Sequence, residues 1–284
     1  MTIGFMSFFQ HSNTPSSQYS GAETFKNLCQ PLNYLIYWLE FRYFLRMHNQ
    51  MIIITDAHIS KANGNHTFFF KMLESFERNN RDLIFLGDIF DLWIALPRYE
   101  EEIHRNFIVW CRRQKSQRTI GYLEGNHEYY LANERASDFT WCSANTWWRD
   151  AKGVLFVHGD QINRKDLNYR AFRKLAKNKI SKFIICHLPF GPQISKSIKQ
   201  GLKKTNARIR LQLPKAEIED FAQARFAEGA NVIFIGHFHM QYHYRNRDAK
   251  ELHVLPDWFS TQKVTIYDRD SKEIKSIHWE EMDV

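Results

Sequence analysis

Five short segments of the sequence combine aspartate, asparagine and histidine in spacings that suit metal binding. They are Thr55-Asp-Ala-His58, Gly87-Asp-Ile-Phe-Asp91, Gly125-Asn-His-Glu128, His158-Gly-Asp160 and Gly236-His-Phe-His239. The potential ligands in them are Asp56, His58, Asp88, Asn126, His158, His237 and His239. Imidazole and carboxylate donors without thiolate suit Mn²⁺, Fe or Zn²⁺ better than Ca²⁺ or Cu(I). Seven ligands exceed one four-coordinate site, but two ions about 3.5–4 Å apart could share a bridging carboxylate.

Each segment alone is weak evidence, because a single buried histidine is more often a hydrogen-bonded core residue than a ligand. The joint pattern of five segments favours a metal site. We expect no ligand role for the eight histidines that lie outside the five segments, which are His11, His48, His66, His104, His187, His243, His253 and His278.

The five segments follow apolar runs that are too short for helices and rich in β-branched residues. These runs predict buried strands at residues 51–54, 83–86, 120–123, 154–157 and 232–235. Helical patterns lie between several of them, at residues 67–79, 101–117 and 215–228. Strands that alternate with helices indicate an α/β core. Ligands of open α/β sheets bind at the carboxyl ends of the strands, where all five segments would lie.

The composition is that of a globular protein. Of 284 residues, 44% are hydrophobic and 25% charged, with 12 Gly and 7 Pro, which argues against disorder, a collagen-like fibre and a polytopic membrane protein. The four cysteines are scattered without a CxxC pair, so we expect a reducing compartment rather than a disulfide scaffold.

Positive charge is concentrated in one segment. The chain carries a net charge of +8, and residues 164–210 contain 14 Lys and Arg against the single acid Asp166. That segment therefore carries +13, and the rest of the chain −5. A local basic block indicates an anionic partner, which could be a phosphate ligand, an anionic membrane surface or nucleic acid. A solvated basic face is the alternative.

Residues 1–50 form a predicted N-terminal extension ahead of a domain at 51–284. An aromatic-rich run at 32–45 includes Glu40 and Arg42 and is too short and too charged for a transmembrane helix. It could lie on a surface as an amphipathic helix, pack on the domain, or be dispensable for the fold. We find no basic n-region and no small-residue cleavage site of a secretory signal.

The five segments resemble, in order, the five motifs of calcineurin-like metallophosphoesterases. The resemblance implies a four-layer αββα sandwich with two divalent ions, most readily Mn²⁺, with Fe or Zn²⁺ as alternatives. One ion would be held by Asp56, His58, Asp88 and His239, and the other by Asp88, Asn126, His158 and His237. Asp88 would bridge the ions, and a hydroxide between them would attack phosphorus.

Asp88 and His127 are the predicted catalytic residues. The resemblance implies that His127 stabilises the transition state or protonates the leaving oxygen. The alternative is that His127 only holds Asp91 or another carboxylate in place.

Further stretches resemble one branch of that family, the UDP-2,3-diacylglucosamine pyrophosphatases of lipid A synthesis. They are Leu86 to Trp93, the run from His158 through Asp166, Tyr169 and Phe172 to Arg173, and Leu255-Pro-Asp-Trp258. The branch implies a basic helical cap at about 164–213, with Asp166, Tyr169, Arg173, Lys203, Lys204 and Asn206 as candidate substrate-binding residues. This chain differs from many members of the branch at one position, where it has His127 and they carry Arg.

This branch implies hydrolysis of UDP-2,3-diacylglucosamine to UMP and 2,3-diacylglucosamine 1-phosphate by a cytoplasmic protein bound peripherally to the inner membrane. The apolar run at 183–190 would be a lipid groove or the cap's own core. The alternative function is a dinuclear phosphodiesterase acting on nucleotides or nucleic acid. Nucleic acid is the less favoured partner, because base-stacking aromatics are not interleaved with the basic run. A third class, a non-catalytic membrane-surface protein, fits poorly with an intact ligand set.

Overall fold

The computed structural model describes residues 49–163, 167–189, 191, 193 and 213–282. Nearly all of the predicted N-terminal extension and part of the predicted cap lie outside these residues. Four predicted substrate-binding residues also lie outside them, namely Asp166, Lys203, Lys204 and Asn206.

The described parts of the chain form thirteen strands and seven α-helices. The strands are β1 (Gln50–Ile54), β2 (Asp82–Phe85), β3 (Trp93–Ile94), β4 (Ile120–Leu123), β5 (Glu128–Tyr129), β6 (Trp141–Ser143), β7 (Trp147–Arg149), β8 (Val154–Val157), β9 (Val232–Ile235), β10 (Tyr242–Arg245), β11 (Glu251–Val254), β12 (Lys263–Asp268) and β13 (Ile274–His278). The helices are α1 (His66–Ser75), α2 (Glu102–Gln114), α3 (Leu131–Glu134), α4 (Leu167–Ala176), α5 (Lys179–His187), α6 (Lys215–Ala227) and α7 (Trp258–Thr261). The five predicted strands are confirmed as β1, β2, β4, β8 and β9, and the three predicted helices as α1, α2 and α6.

Two mixed sheets carry the fold. The first has the strand order β13-β12-β1-β2-β4-β6, in which β1, β2, β4 and β6 run parallel. The second has the order β10-β11-β9-β8-β7, in which β8, β9 and β11 run parallel. Because neighbouring parallel strands point the same way, the carboxyl ends of β1, β2 and β4 share one edge of the first sheet. The carboxyl ends of β8 and β9 likewise share one edge of the second sheet.

Alternate side chains of the central strands enter different apolar layers. In β1, Met51 and Ile53 belong to a buried cluster with Phe156 and Phe234 of the second sheet. Side chains of the same strand that point the other way pack against α1 and α2, in a cluster that includes Phe69. Strands buried on both faces must be apolar throughout, which explains the continuous apolar runs of the sequence.

The second sheet is also covered on its outer face. Leu155 and Ile233 pack there against Ile218, Ala222 and Phe226 of α6. The layers therefore follow the order helix, sheet, sheet, helix, and the predicted αββα sandwich is confirmed. Among the residues described, no helix is both long and apolar enough to cross a bilayer.

Candidate metal centre

The predicted ligands converge where the carboxyl ends of the two sheets meet. Asp56, His58 and His239 offer ligand atoms within 4.8 Å of one another, and so do Asp56, Asp88, His158 and His237. Asp56 belongs to both groups. The seventh predicted ligand, Asn126, joins the second group through its Oδ1 atom, which lies 3.1 Å from Nε2 of His158.

The contacts within the two groups bring potential ligand atoms close together. Nε2 of His58 and Nε2 of His239 face each other at 3.4 Å. Oδ1 of Asp56 is buried and accepts no well-formed hydrogen bond, although Nε2 of His239 lies 3.3 Å away. In the second group, Oδ1 of Asp88 lies 3.5 Å from Nε2 of His158. A buried carboxylate oxygen without a proper donor, among converging imidazole nitrogens, fits divalent cations of the Mn²⁺, Fe and Zn²⁺ type.

The backbone at these residues adopts conformations that L-residues rarely take. Five of the seven predicted ligands have φ between 44° and 70°, namely Asp56, His58, Asp88, His237 and His239. Left-handed backbone at non-glycine residues is strained and is concentrated at functional sites. These residues follow β1, β2 and β9, where the left-handed backbone turns the chain at the end of the strand.

The predicted ligands influence one another's protonation. Burial disfavours ionised Asp88, but the positive charges of His127 and His158 hold the pKa of Asp88 well below its usual value. Burial opposes protonation of His158, yet the negative charge of Asp88 raises the pKa of His158 to about 10. Burial, reinforced by nearby imidazoles, lowers the pKa of both His58 and His237 to about 4. His58 and His237 are therefore neutral at pH 7, which is the form that binds metals.

A buried carboxylate supports two of the ligand-bearing loops. Glu128 is fully buried, and its oxygens accept hydrogen bonds from the backbone N–H groups of Asp88, Ile89 and Gly125 at 2.8–2.9 Å. The hydroxyl of Tyr122 donates to the same carboxylate at 3.0 Å. Burial and the charge of Asp88 raise the pKa of Glu128 to about 6. Glu128 lies within the third segment but was not among the predicted site residues, because sequence spacing does not reveal which backbone amides a side chain faces.

Close backbone approach also fixes these loops. A Cβ atom on Gly125 would lie 2.2 Å from Oδ1 of Asp88, and one on Gly236 would lie 2.0 Å from Oγ1 of Thr55. Both distances are far below van der Waals contact. Only glycine therefore fits at position 125, beside the end of β2, and at position 236, beside the end of β1.

The His127 side chain lies at the border of the site and is about a quarter exposed. Its Nδ1 atom is 2.6 Å from the backbone oxygen of Asp91, and its Nε2 atom is 3.8 Å from Oδ2 of Asp88. Because a carbonyl oxygen can only accept, Nδ1 carries the proton in this contact, and Nε2 faces the site. His127 thus contacts Asp91 through the main chain.

The Asp257 carboxylate lies beside His239, a predicted ligand, and was named only as part of a sequence resemblance. Its Oδ2 atom is 3.6 Å from Nδ1 of His239 and accepts hydrogen bonds from the backbone N–H and hydroxyl of Ser260. A carboxylate behind a metal-binding imidazole fixes its orientation and raises its basicity.

Tyr169 and Arg173, the two described candidates for substrate binding, face the domain core. Both donate to Oδ2 of Asp160, and Arg173 also donates to the backbone oxygen of Gly125 at 3.2 Å. Burial opposes the charge of Arg173, but Asp160 raises its pKa above the usual value. In the structure these side chains fasten α4 to two ligand-bearing loops.

Lys177 makes a second attachment of the same kind. Its Nζ atom lies 3.0 Å from Oε2 of Glu124 and 2.7 Å from the backbone oxygen of Gly125. Glu124 is almost fully buried, and its other oxygen accepts the backbone N–H of Ala132. Lys177 was not among the predicted site residues. Its spacing of four residues from Arg173, which puts both on one helix face, is the signal that could have found it.

The sequence is similar to those of known phosphoesterases. A family model described as calcineurin-like phosphoesterase matches residues 50–241. A UDP-2,3-diacylglucosamine hydrolase of Pseudomonas putida is 24% identical over 225 residues, which cover 73% of this chain and 90% of that protein. Proteins of the same name from Histophilus somni and Pasteurella multocida are each 26% identical, and the matches cover 74% of this chain and 93% and 91% of those proteins.

Glu128→Gln should lower the free energy of unfolding by about 3–5 kcal/mol, because the amide replaces a buried charge that several donors require. Tyr122→Phe, the matched control, removes one donor and keeps the carboxylate, so it should cost about 1 kcal/mol. Urea unfolding measures both. Equal losses in the two variants would contradict the role of Glu128.

Lys177→Met should lower the free energy of unfolding by about 3–5 kcal/mol, because it leaves Glu124 buried without its cation. Lys174→Met, which changes an exposed lysine of the same helix, should stay within about 0.5 kcal/mol of the parent. Urea unfolding again distinguishes them. If both variants matched the parent, Lys177 would not attach the cap.

Proposed function

Because this chain belongs to the calcineurin-like phosphoesterase family and is a metal-dependent phosphoesterase, we propose that its substrate is UDP-2,3-diacylglucosamine. Water attacks the α-phosphorus of the pyrophosphate, its oxygen becomes part of UMP, and 2,3-diacylglucosamine 1-phosphate departs with the bridging oxygen. The observation that carries this choice is the combination of the ligand set with exposed apolar side chains on the adjacent cap helices. The names of the curated relatives support the same substrate.

The cap helices expose an unusual amount of apolar surface. Of ten large apolar side chains that are exposed in the described residues, six lie on α4 and α5, namely Leu167, Phe172, Leu175, Ile180, Phe183 and Ile184. Clustered apolar surface of this kind marks binding grooves and membrane contacts. Arg170, Lys174 and Lys179 are exposed on the same two helices. Apolar and basic side chains together suit acyl chains and an anionic leaflet.

The cap lies close to the site. The hydroxyl of Tyr99 donates to the backbone oxygen of Ile185 at 2.8 Å, and α4 is fastened to the loop of Gly125. A lipid held on the cap would therefore have its diphosphate near the ligand set. This proximity supports a substrate with both a lipid and a phosphate part.

The residues of the site divide the chemistry. We propose that Asp56, His58, Asp88 and His239 hold one divalent ion, and that Asp88, Asn126, His158 and His237 hold a second, with Mn²⁺ as the preferred metal. Bound there, such ions lower the pKa of water towards neutrality and neutralise charge on phosphoryl oxygens.

His127 supplies the proton chemistry in this proposal. With Nδ1 held by the Asp91 carbonyl, Nε2 points towards the site. In the protonated form, Nε2 donates a hydrogen bond to a phosphoryl oxygen or passes its proton to the leaving oxygen.

We further propose that the enzyme works at the cytoplasmic face of the inner membrane as a peripheral protein.

The decisive assay follows UMP release from UDP-2,3-diacylglucosamine in detergent micelles with Mn²⁺, beside bis-p-nitrophenyl phosphate and single-stranded DNA. Asp88→Ala should lower UMP release at least about a hundredfold, because it removes a proposed ligand of both ions. Asp248→Ala, in an exposed turn, is the matched control and should leave the rate unchanged. Activity confined to the generic ester or to DNA would refute the lipid substrate, and unaltered activity of Asp88→Ala would refute the metal assignment.

Phe183→Ser should raise KM for the diacylated substrate about tenfold, because the buried area of one acyl-chain contact is worth about 1.5–3 kcal/mol. Its rate on bis-p-nitrophenyl phosphate, which has no acyl chain, should not change. Val109→Ser, an equally exposed apolar residue on α2, is the control. A parallel change of KM for both esters would show that the cap does not select lipid.

A further inference from the structure

Three potential metal ligands lie on one face of the hairpin β10–β11. His243 of β10 is directly opposite His253 of β11 in the antiparallel ladder. Glu251 precedes His253 by two residues and therefore projects from the same face. Side chains directly opposite in an antiparallel pair have Cβ atoms about 4.5–5.5 Å apart, close enough for two imidazoles to bind one ion.

The ligand atoms of this His–Glu–His cluster converge. Oε2 of Glu251 is 3.0 Å from Nε2 of His253 and 3.6 Å from Nε2 of His243. The two imidazole rings are stacked, with centroids 4.5 Å apart. All three ligand atoms lie within 4.8 Å of one another. In tetrahedral zinc sites with bonds of about 2.0–2.1 Å, neighbouring ligand atoms are about 3.3 Å apart, so these separations suit such an ion.

The surroundings leave the cluster available to a cation. The side chain of His253 is 17% exposed, that of Glu251 27% and that of His243 51%, so one side is open to a water ligand. Arg245 lies 3.6 Å from the other oxygen, Oε1 of Glu251, and leaves Oε2 to the imidazoles.

We propose that His243, Glu251 and His253 bind one Zn²⁺ ion with a water as fourth ligand, at a site separate from the candidate metal centre. Two imidazoles and a carboxylate with an open position are a donor set that zinc prefers. This proposal departs from the expectation that His243 and His253 have no ligand role. Sequence spacing gave no signal, because the two histidines are ten positions apart and only the hairpin register brings them together.

The consequence for the protein is local. Strand β10 forms the edge of the second sheet and begins three residues after His239. An ion that joins β10 to β11 would fix this edge strand, and with it the end of the loop that carries His237 and His239.

The test is a zinc count. Metal-free protein is dialysed to equilibrium against Zn²⁺, and bound zinc is measured by elemental analysis for the parent and for His243→Gln, His253→Gln and Glu251→Gln. Each variant should bind one equivalent less than the parent. His278→Gln, which changes another histidine near a carboxylate, should bind as much as the parent.

Far-UV circular dichroism of the metal-free proteins identifies any variant that does not fold, and the half-exposed His243 provides the substitution least able to disturb the core. A second measurement is the thermal unfolding midpoint, which Zn²⁺ should raise more in the parent than in folded His243→Gln. Equal zinc content and equal midpoints in the parent and His243→Gln would overturn the proposal. So would an equal loss of zinc in His278→Gln, which would indicate non-specific surface binding.

Discussion

The candidate metal centre depends on one buried carboxylate. Glu128 accepts hydrogen bonds from backbone N–H groups of the loop after β2 and of the loop after β4. It therefore joins the two loops that carry Asp88 and Asn126. Several donors are needed, because burying a carboxylate costs free energy unless its oxygens accept hydrogen bonds. The hydrogen bond from the Asp88 N–H helps to stabilise the left-handed backbone of that residue, which is unfavourable for a non-glycine residue. Ligand geometry is thus a property of the packed domain and not of any single motif.

The arrangement of layers explains why the centre lies between two sheets. Strands buried on both faces are apolar along their length, so polar side chains can enter only where the strands end. The first sheet contributes Asp56, Asp88 and Asn126 at such ends, and the second contributes His158 and the His237–His239 loop. Neither sheet alone supplies all seven predicted ligands. The apolar cluster between the sheets, which includes Ile53 and Phe234, therefore sets the separation of the two halves of the centre.

Much of this could be predicted from the sequence, since strand position and ligand type are local properties. Apolar runs identified β1, β2, β4, β8 and β9, and the residues after them identified the converging side chains. Contacts that depend on register or on the direction of a helix could not be predicted in this way. Three contacts of this kind are those of Glu128 with two loops, of Asp257 with His239 and of His243 with His253.

The basic segment illustrates how far charge alone can be interpreted. Its described part contains six Lys and Arg, and three of them pair with acids outside the cap. Arg173 pairs with buried Asp160, Lys177 with buried Glu124, and Lys182 with Glu134 at the surface. These pairs attach the cap to the domain. Only Arg170, Lys174 and Lys179 remain exposed among the described six. The −5 charge of the rest of the chain thus has a structural role, because part of it neutralises the cap across this attachment. A count of basic residues therefore overstates the charge that the cap presents to a ligand or a membrane.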